Sequence, residues 1–204
     1  MDFSLTDAQK EIQARAREFA QTRVAPLSRE MDERGEMPRA LIDDLARTGL
    51  LGGPLPKEFF GGAWDSISLA LCYEELGRVD SSVRGFMTVH TSLVAQCILK
   101  WGNAAQKKNY LPKLAHGEMI GCYALTEPNA GSDAASIETT AARDGDAYLI
   151  NGEKIWITNG VVAKKCAAKS WDTARRITRV SFLKICACPR RRVWARKAKG
   201  SKSR

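Results

Sequence analysis

The residues best suited to chemistry in this chain cluster at 123–132, Tyr-Ala-Leu-Thr-Glu-Pro-Asn-Ala-Gly-Ser, followed at once by Asp133. A short apolar run of strand character ends there in a polar turn. Pro128 cannot donate to a sheet ladder, and Gly131 permits backbone shapes that a larger residue resists. Such a turn can direct backbone N–H groups at a ligand, and the hydroxyls of Thr126 and Ser132 donate or accept as required. The chemistry this suits is the holding of ring heteroatoms and a phosphate. Composition alone leaves a second reading open, since most such turns only connect strands.

A second segment, Lys154-Ile-Trp-Ile-Thr-Asn-Gly160, follows a hairpin signal at Asn151-Gly152. Together the two stretches resemble the acyl-CoA dehydrogenase family. That family's pattern of small residue, aliphatic, Ser or Thr, Glu, two free positions, small residue, Gly, Ser or Thr, Asp is met by residues 124–133, and its Trp-Ile-Thr strand by Trp156, Ile157 and Thr158. Lys57-Glu-Phe-Phe-Gly-Gly62 and Gln106-Lys-Lys-Asn-Tyr-Leu-Pro-Lys-Leu-Ala-His-Gly117 are similar to two further family stretches. The resemblance implies FAD as cofactor, contacted by Tyr123, Ala124, Leu125, Thr126, Gly131, Ser132, Trp156, Ile157 and Thr158. Ser132 would also approach the substrate.

The same resemblance implies an oxidoreductase of fatty acid metabolism that removes hydrogen from the α and β carbons of an acyl-CoA or acyl-carrier thioester. It further implies an electron-transfer flavoprotein or similar acceptor and a homo-oligomer. An α C–H is too weakly acidic for a carboxylate in water, so the thioester carbonyl must be polarised in a dry site. The family's base is a glutamate of a C-terminal domain. The motif match ends near residue 160, so no catalytic residue is assigned, and the 204-residue chain is expected to be inactive and to bind FAD weakly or not at all.

Other candidates read differently. Glu74 and Glu75 are adjacent, but neighbours on a helix point about 100° apart, so they do not converge on one proton and a solvated face accounts for them better. His90 has no second histidine, cysteine or carboxylate at metal spacing and reads as a packed or pocket-lining residue. Glu127 lies inside the flavin loop, and nothing in the sequence aims it at a substrate. Strand statistics make Trp156 a core residue; its place in the family's flavin-contacting strand assigns it to the cofactor. The six cysteines, at 72, 97, 122, 166, 186 and 188, show no paired metal spacing and read as free thiols.

Two kinds of element must position these residues. Thr6-Asp-Ala-Gln9 has the form of a capping box, and Ile12, Ala16, Phe19, Ala20 and Val24 share one helical face, with Pro26 predicted to interrupt or kink the helix. Pro38 and Gly49 bracket a second helix with a Leu41, Ile42, Leu45 stripe, and residues 66–78 form a third that carries Ile67, Ala70 and Leu71. Residues 82–101 predict a largely buried central helix, and Asn103-Ala-Ala-Gln106 starts another. From Met119 the period becomes extended, with strands predicted at 120–126, 136–143, 146–150 and 153–158 and turns at Asp144-Gly145 and Asn151-Gly152. The fold class is therefore α+β: an N-terminal helical bundle over 1–117, then an incomplete antiparallel β domain over 118–160, of the acyl-CoA dehydrogenase type by resemblance.

Composition is ordinary for a globular chain, 44% hydrophobic and 27% charged, but the net charge of +9 hides an asymmetry. Residues 161–204 hold 15 Lys or Arg against one acid, Asp172, whereas residues 1–160 hold 17 basic side chains against 22 acidic. Motif, charge and periodicity break together at one point, so this basic tail is expected to be out-of-frame or disordered sequence. The rival reading is an arm for nucleic acid or an anionic surface, with Trp171, Phe182 and Trp194 stacking on bases. It is disfavoured because no nucleic-acid module is visible. No apolar run reaches the ~18 residues of a membrane span and no basic-then-apolar leader opens the chain, so the expected location is cytoplasmic, away from membranes.

Overall fold

The computed structural model describes residues 4–144 and 147–167. Helix α1 (Asp7–Phe19) starts at a capping box in which the Gln9 N–H donates to the Thr6 hydroxyl at 3.3 Å and the Thr6 N–H donates to the Gln9 side chain at 3.0 Å. Its buried face is Ile12, Ala16 and Phe19. The predicted break at Pro26 does not occur. A π-helical segment (Ala20–Val24), the kind of local widening that accommodates a residue breaking the regular α pattern, leads directly into α2 (Ala25–Arg34), with Pro26 in its first turn. Helix α3 (Arg39–Arg47) follows Pro38 and buries Leu41, Ile42 and Leu45.

Helix α4 (Ser66–Val79) is capped by Asp65, whose carboxylate accepts from the Ser68 N–H at 2.7 Å. Its buried face is Ser68, Cys72, Glu75 and Leu76, so the apolar set read from the sequence is displaced and Ile67 is 53% exposed. The Glu74-Glu75 pair is divided by the helix. Glu74 stays at the surface with Arg78, whereas Glu75 is buried between α1 and α4, where Arg17 donates to both of its oxygens at 3.0 and 2.8 Å and Gln13 donates at 3.1 Å. The solvated reading therefore fails for Glu75, because α1 supplies a guanidinium that makes burial of the carboxylate tolerable.

Next comes a continuous rod made of α5 (Ser81–Met87), a π-helical segment (Thr88–Ala95) and α6 (Gln96–Trp101). It is less enclosed than expected, since Leu93 and Trp101 are exposed. Helix α7 (Ala104–Ala115) opens on the predicted capping box of Asn103 and Gln106. Two apolar clusters hold the helices together. One gathers Ile12, Phe19, Leu41, Leu45, Leu76 and Phe86, and the other Leu55, Val94, Ile98, Leu111 and Leu114.

Beyond Gly117, two of the four predicted strands form. β1 (Thr140–Asp144) and β2 (Ala147–Asn151) pair antiparallel, Thr140 opposite Asn151 and Asp144 opposite Ala147. Asn151 ends β2, while Gly145 of the other predicted turn lies outside the described residues. Residues 120–126 and 153–158 form no strand, and the second stretch is interrupted by a left-handed Trp156. They meet through the Ile155 N–H, which donates to the Thr126 carbonyl at 2.9 Å, and a single bond is no ladder. Helix α8 (Gly160–Ala167) carries the described chain past the break in charge and packs Ala163 into the first cluster. The basic tail is expected over 161–204 to be out-of-frame or disordered; its first seven residues instead continue α8, so the disordered reading fails there, and the rest of that reading, like the nucleic-acid one, falls on residues 168–204, outside the described residues. Cys72, Cys97 and Cys122 are free thiols; the side chains of the other three cysteines also lie outside. Among the described residues no helix is long and apolar enough to cross a membrane.

Candidate flavin-binding site

The structure brings the two motif stretches together, and the joint is a buried ion pair. The Lys154 ammonium donates to Glu127 Oε1 at 2.7 Å and to the Leu125 carbonyl at 2.8 Å. The Glu127 carboxylate also accepts from the Thr139 N–H at 3.0 Å, the Glu138 N–H at 2.7 Å and the Thr139 hydroxyl. Lys154 foremost, then Thr139, holds this carboxyl down to about 2. Both oxygens are engaged, so Glu127 is an anchor of the loop and not a base. Mutual backbone bonds of 2.9 and 3.2 Å between Glu127 and Ala130 then close a tight turn over Pro128 and Asn129.

Around this joint the predicted contact residues form an open face. Trp156 is 86% exposed and Leu125 42%, which is unusual for large apolar side chains flanking a buried ion pair. Ser132, Gly131 and Thr158 are exposed, and Tyr123, Ala124, Thr126 and Ile157 are half-buried. Among the described residues the hydroxyls of Thr126, Ser132 and Thr158 make no hydrogen bond. The strand expected around Trp156 is replaced by a sharp bend with φ 56°, a left-handed conformation costly for a bulky residue. Gly131 does not need its conformational freedom, since its φ is not positive; a Cβ there would meet nothing within 4 Å. Asp133 folds back on the Ala135 N–H at 3.2 Å and on the Ser136 hydroxyl, shaping the short 3-10 turn Ala134–Ser136.

A flavin fits these residues. An aromatic and an aliphatic side chain offer a platform, three hydroxyls stand ready to donate or accept, and the space at Gly131 is clear. His90 is fully buried and bonded to backbone groups. Among the described residues no cluster of three or more His, Cys, Asp or Glu could hold a metal. Sequence reasoning quoted two residues of the second stretch without seeing their roles: Lys154, which makes the joint, and Asn159, whose amide donates to the Phe86 and Gly121 carbonyls. The sequence signal for Lys154 was its place directly before the apolar Ile155-Trp156-Ile157.

Comparison with known proteins accords with this geometry. The N-terminal domain of acyl-CoA dehydrogenase matches residues 6–118, and the middle domain matches residues 122–182, past residue 160, where the motifs end. The short-chain specific acyl-CoA dehydrogenase of Clostridium acetobutylicum is 43% identical over 163 residues, covering 80% of this chain and 43% of that protein. The butyryl-CoA dehydrogenase structure from Megasphaera elsdenii superposes with a TM-score of 0.75 at 38% identity, covering 80% of this chain and 44% of that one. A glutaryl-CoA dehydrogenase from Mycobacterium smegmatis in complex with FADH2 gives 0.75 at 37% identity, covering 78% and 41%. The chain thus spans less than half the length of these relatives. With its helical unit and both motif stretches accounted for, the chain belongs to the acyl-CoA dehydrogenase family.

Proposed function

We propose that this chain carries the flavin-contacting part of an FAD-dependent dehydrogenase acting on acyl thioesters. The observation behind this reading is the Glu127–Lys154 joint, on whose side lie exposed Trp156 and Leu125 and the hydroxyls of Thr126, Ser132 and Thr158, which make no hydrogen bond among the described residues. FAD, when bound, supplies the acceptor for hydride leaving the β carbon of the thioester. Trp156 and Leu125 offer apolar contact to the ring system, Tyr123, Ala124, Ile157 and the hydroxyls complete the open face, and Gly131 leaves room. Ser132, at the end of the loop, approaches the substrate. The substrate is an acyl-CoA or acyl-carrier thioester, and an electron-transfer flavoprotein or similar protein takes the electrons.

Neither Glu127 nor His90 supplies the base, since one is consumed in the anchor and the other is enclosed. The flavin platform is bare on its outer side among the described residues. Each hydrogen bond that a cover would supply is worth roughly 0.5–1.5 kcal/mol, so several absent ones lower affinity steeply. Titration of the 204-residue chain should quench FAD fluorescence saturably with a Kd weaker than ~1 µM, with no turnover of butyryl-, octanoyl- or palmitoyl-CoA. Trp156→Gly, which relieves the left-handed backbone, should abolish the quenching. Absence of saturation up to ~1 mM FAD would remove the flavin reading. Turnover near an ordinary enzyme's rate would show that the chain supplies its own base.

A further inference from the structure

We infer that His90 and Asn159 form a latch that clamps Gly121 by its N–H and by its carbonyl and so positions the two flavin-contacting stretches against the helical unit. The inference rests on the flavin reading above. The Gly121 N–H donates to His90 Nδ1 at 3.1 Å, and the Gly121 carbonyl accepts from Asn159 Nδ2 at 3.1 Å. The same Asn159 amide donates to the Phe86 carbonyl at 3.0 Å, and the Phe86 ring stacks on His90 with centroids 6.0 Å apart and planes 9° from parallel. His90 Nε2 lies 3.0 Å from the Leu114 carbonyl.

This network assigns the tautomer. Nδ1 accepts from an amide and carries no proton, so Nε2 carries it and donates to Leu114. A neutral, fully buried imidazole thus bridges α7 and the start of the first stretch. Gly121 fits the grip because a Cβ there would come within 2.7 Å of Val94. Asn159 adopts φ 66°, a left-handed conformation that asparagine tolerates better than most residues, and its carbonyl accepts the Ala163 N–H at 2.8 Å at the start of α8. Gly121 lies two residues before Tyr123, and Asn159 directly after Thr158. One clamp therefore fixes where both stretches begin or end. His90 and Asn159 touch no cofactor in this reading; they are positioning residues.

Side-chain mimicry separates positioning from packing. An asparagine at position 90 places its carbonyl oxygen near Nδ1 and can still accept from Gly121. A glutamine places its amide near Nε2 and keeps only the Leu114 bond. In the full chain, His90→Gln and Asn159→Gly should each weaken FAD binding by about tenfold, whereas His90→Asn stays within about threefold of the parent. Amide hydrogen exchange measured without FAD gives an independent readout: the Gly121 N–H should exchange at least about tenfold faster in His90→Gln but not in His90→Asn. Equal losses for the two His90 variants, in affinity and exchange alike, would overturn the latch. A parent chain that fails to bind FAD while the exchange contrast persists would refute the flavin reading and leave the latch standing.

Discussion

His90 and Glu127 both make stability fall as the pH falls, from different causes and in adjoining pH windows. Burial holds His90 neutral, its pKa lowered to about 4. An unfolded histidine takes up its proton near 6.5, so this contribution is complete above 6.5 and drains away as pH falls from 6.5 to 4. Urea melts at pH 7 and pH 4 should differ by roughly 3 kcal/mol from this residue, a difference absent in His90→Gln. Glu127 has its folded value depressed from 4.5 to about 2, so its contribution persists above 4.5 and is lost as pH falls through that lower window. The stability gap between the parent and Glu127→Gln should be constant above pH 5 and shrink below 4.5. Glu127 and the loop around it mark how far the sequence could be read. The hydroxyls of Thr126 and Ser132 were visible because polar groups in a turn announce themselves. The ion pair was not, because a lysine among Ile and Trp discloses its partner only in three dimensions.

Among the elements, capping boxes were the most legible features, since Thr6 with Gln9 and Asn103 with Gln106 carry their whole mechanism within four residues. Helix faces were less so. The 3.6-residue period does not say which flank of α4 meets α1, and the pairing of buried Glu75 with exposed Arg17 draws that face away from Ile67. Truncating Leu76 to alanine should cost about 2–5 kcal/mol in denaturant melts, while Ile67→Ala should stay within about 0.5. The two π-helical segments were invisible because their wider turns preserve an apolar pattern that α-helix explains equally well. Strands at 120–126 and 153–158 were predicted from alternation, which reports suitability for a sheet and not the presence of a partner.

For the molecule as a whole, the two units differ in what stabilises them. The helices share two apolar clusters, whereas β1 and β2 are a two-stranded ribbon with no third strand among the described residues, an arrangement marginal in water by itself. Hydrogen exchange should therefore show the amides of α1, α4 and α7 protected by at least ~10³ while those of β1 and β2 exchange almost as fast as in an unfolded peptide. Comparable protection in both units would mean that the hairpin is covered. The Gly121 clamp has a further meaning during biosynthesis. His90 and Leu114 precede Gly121 in the chain, but Asn159 follows it by 38 residues. At roughly 5–20 residues per second, the ribosome leaves the first motif stretch held on one side only for about 2–8 s. Throughout that interval His90 alone holds Gly121, and the arrival of Asn159 completes the grip.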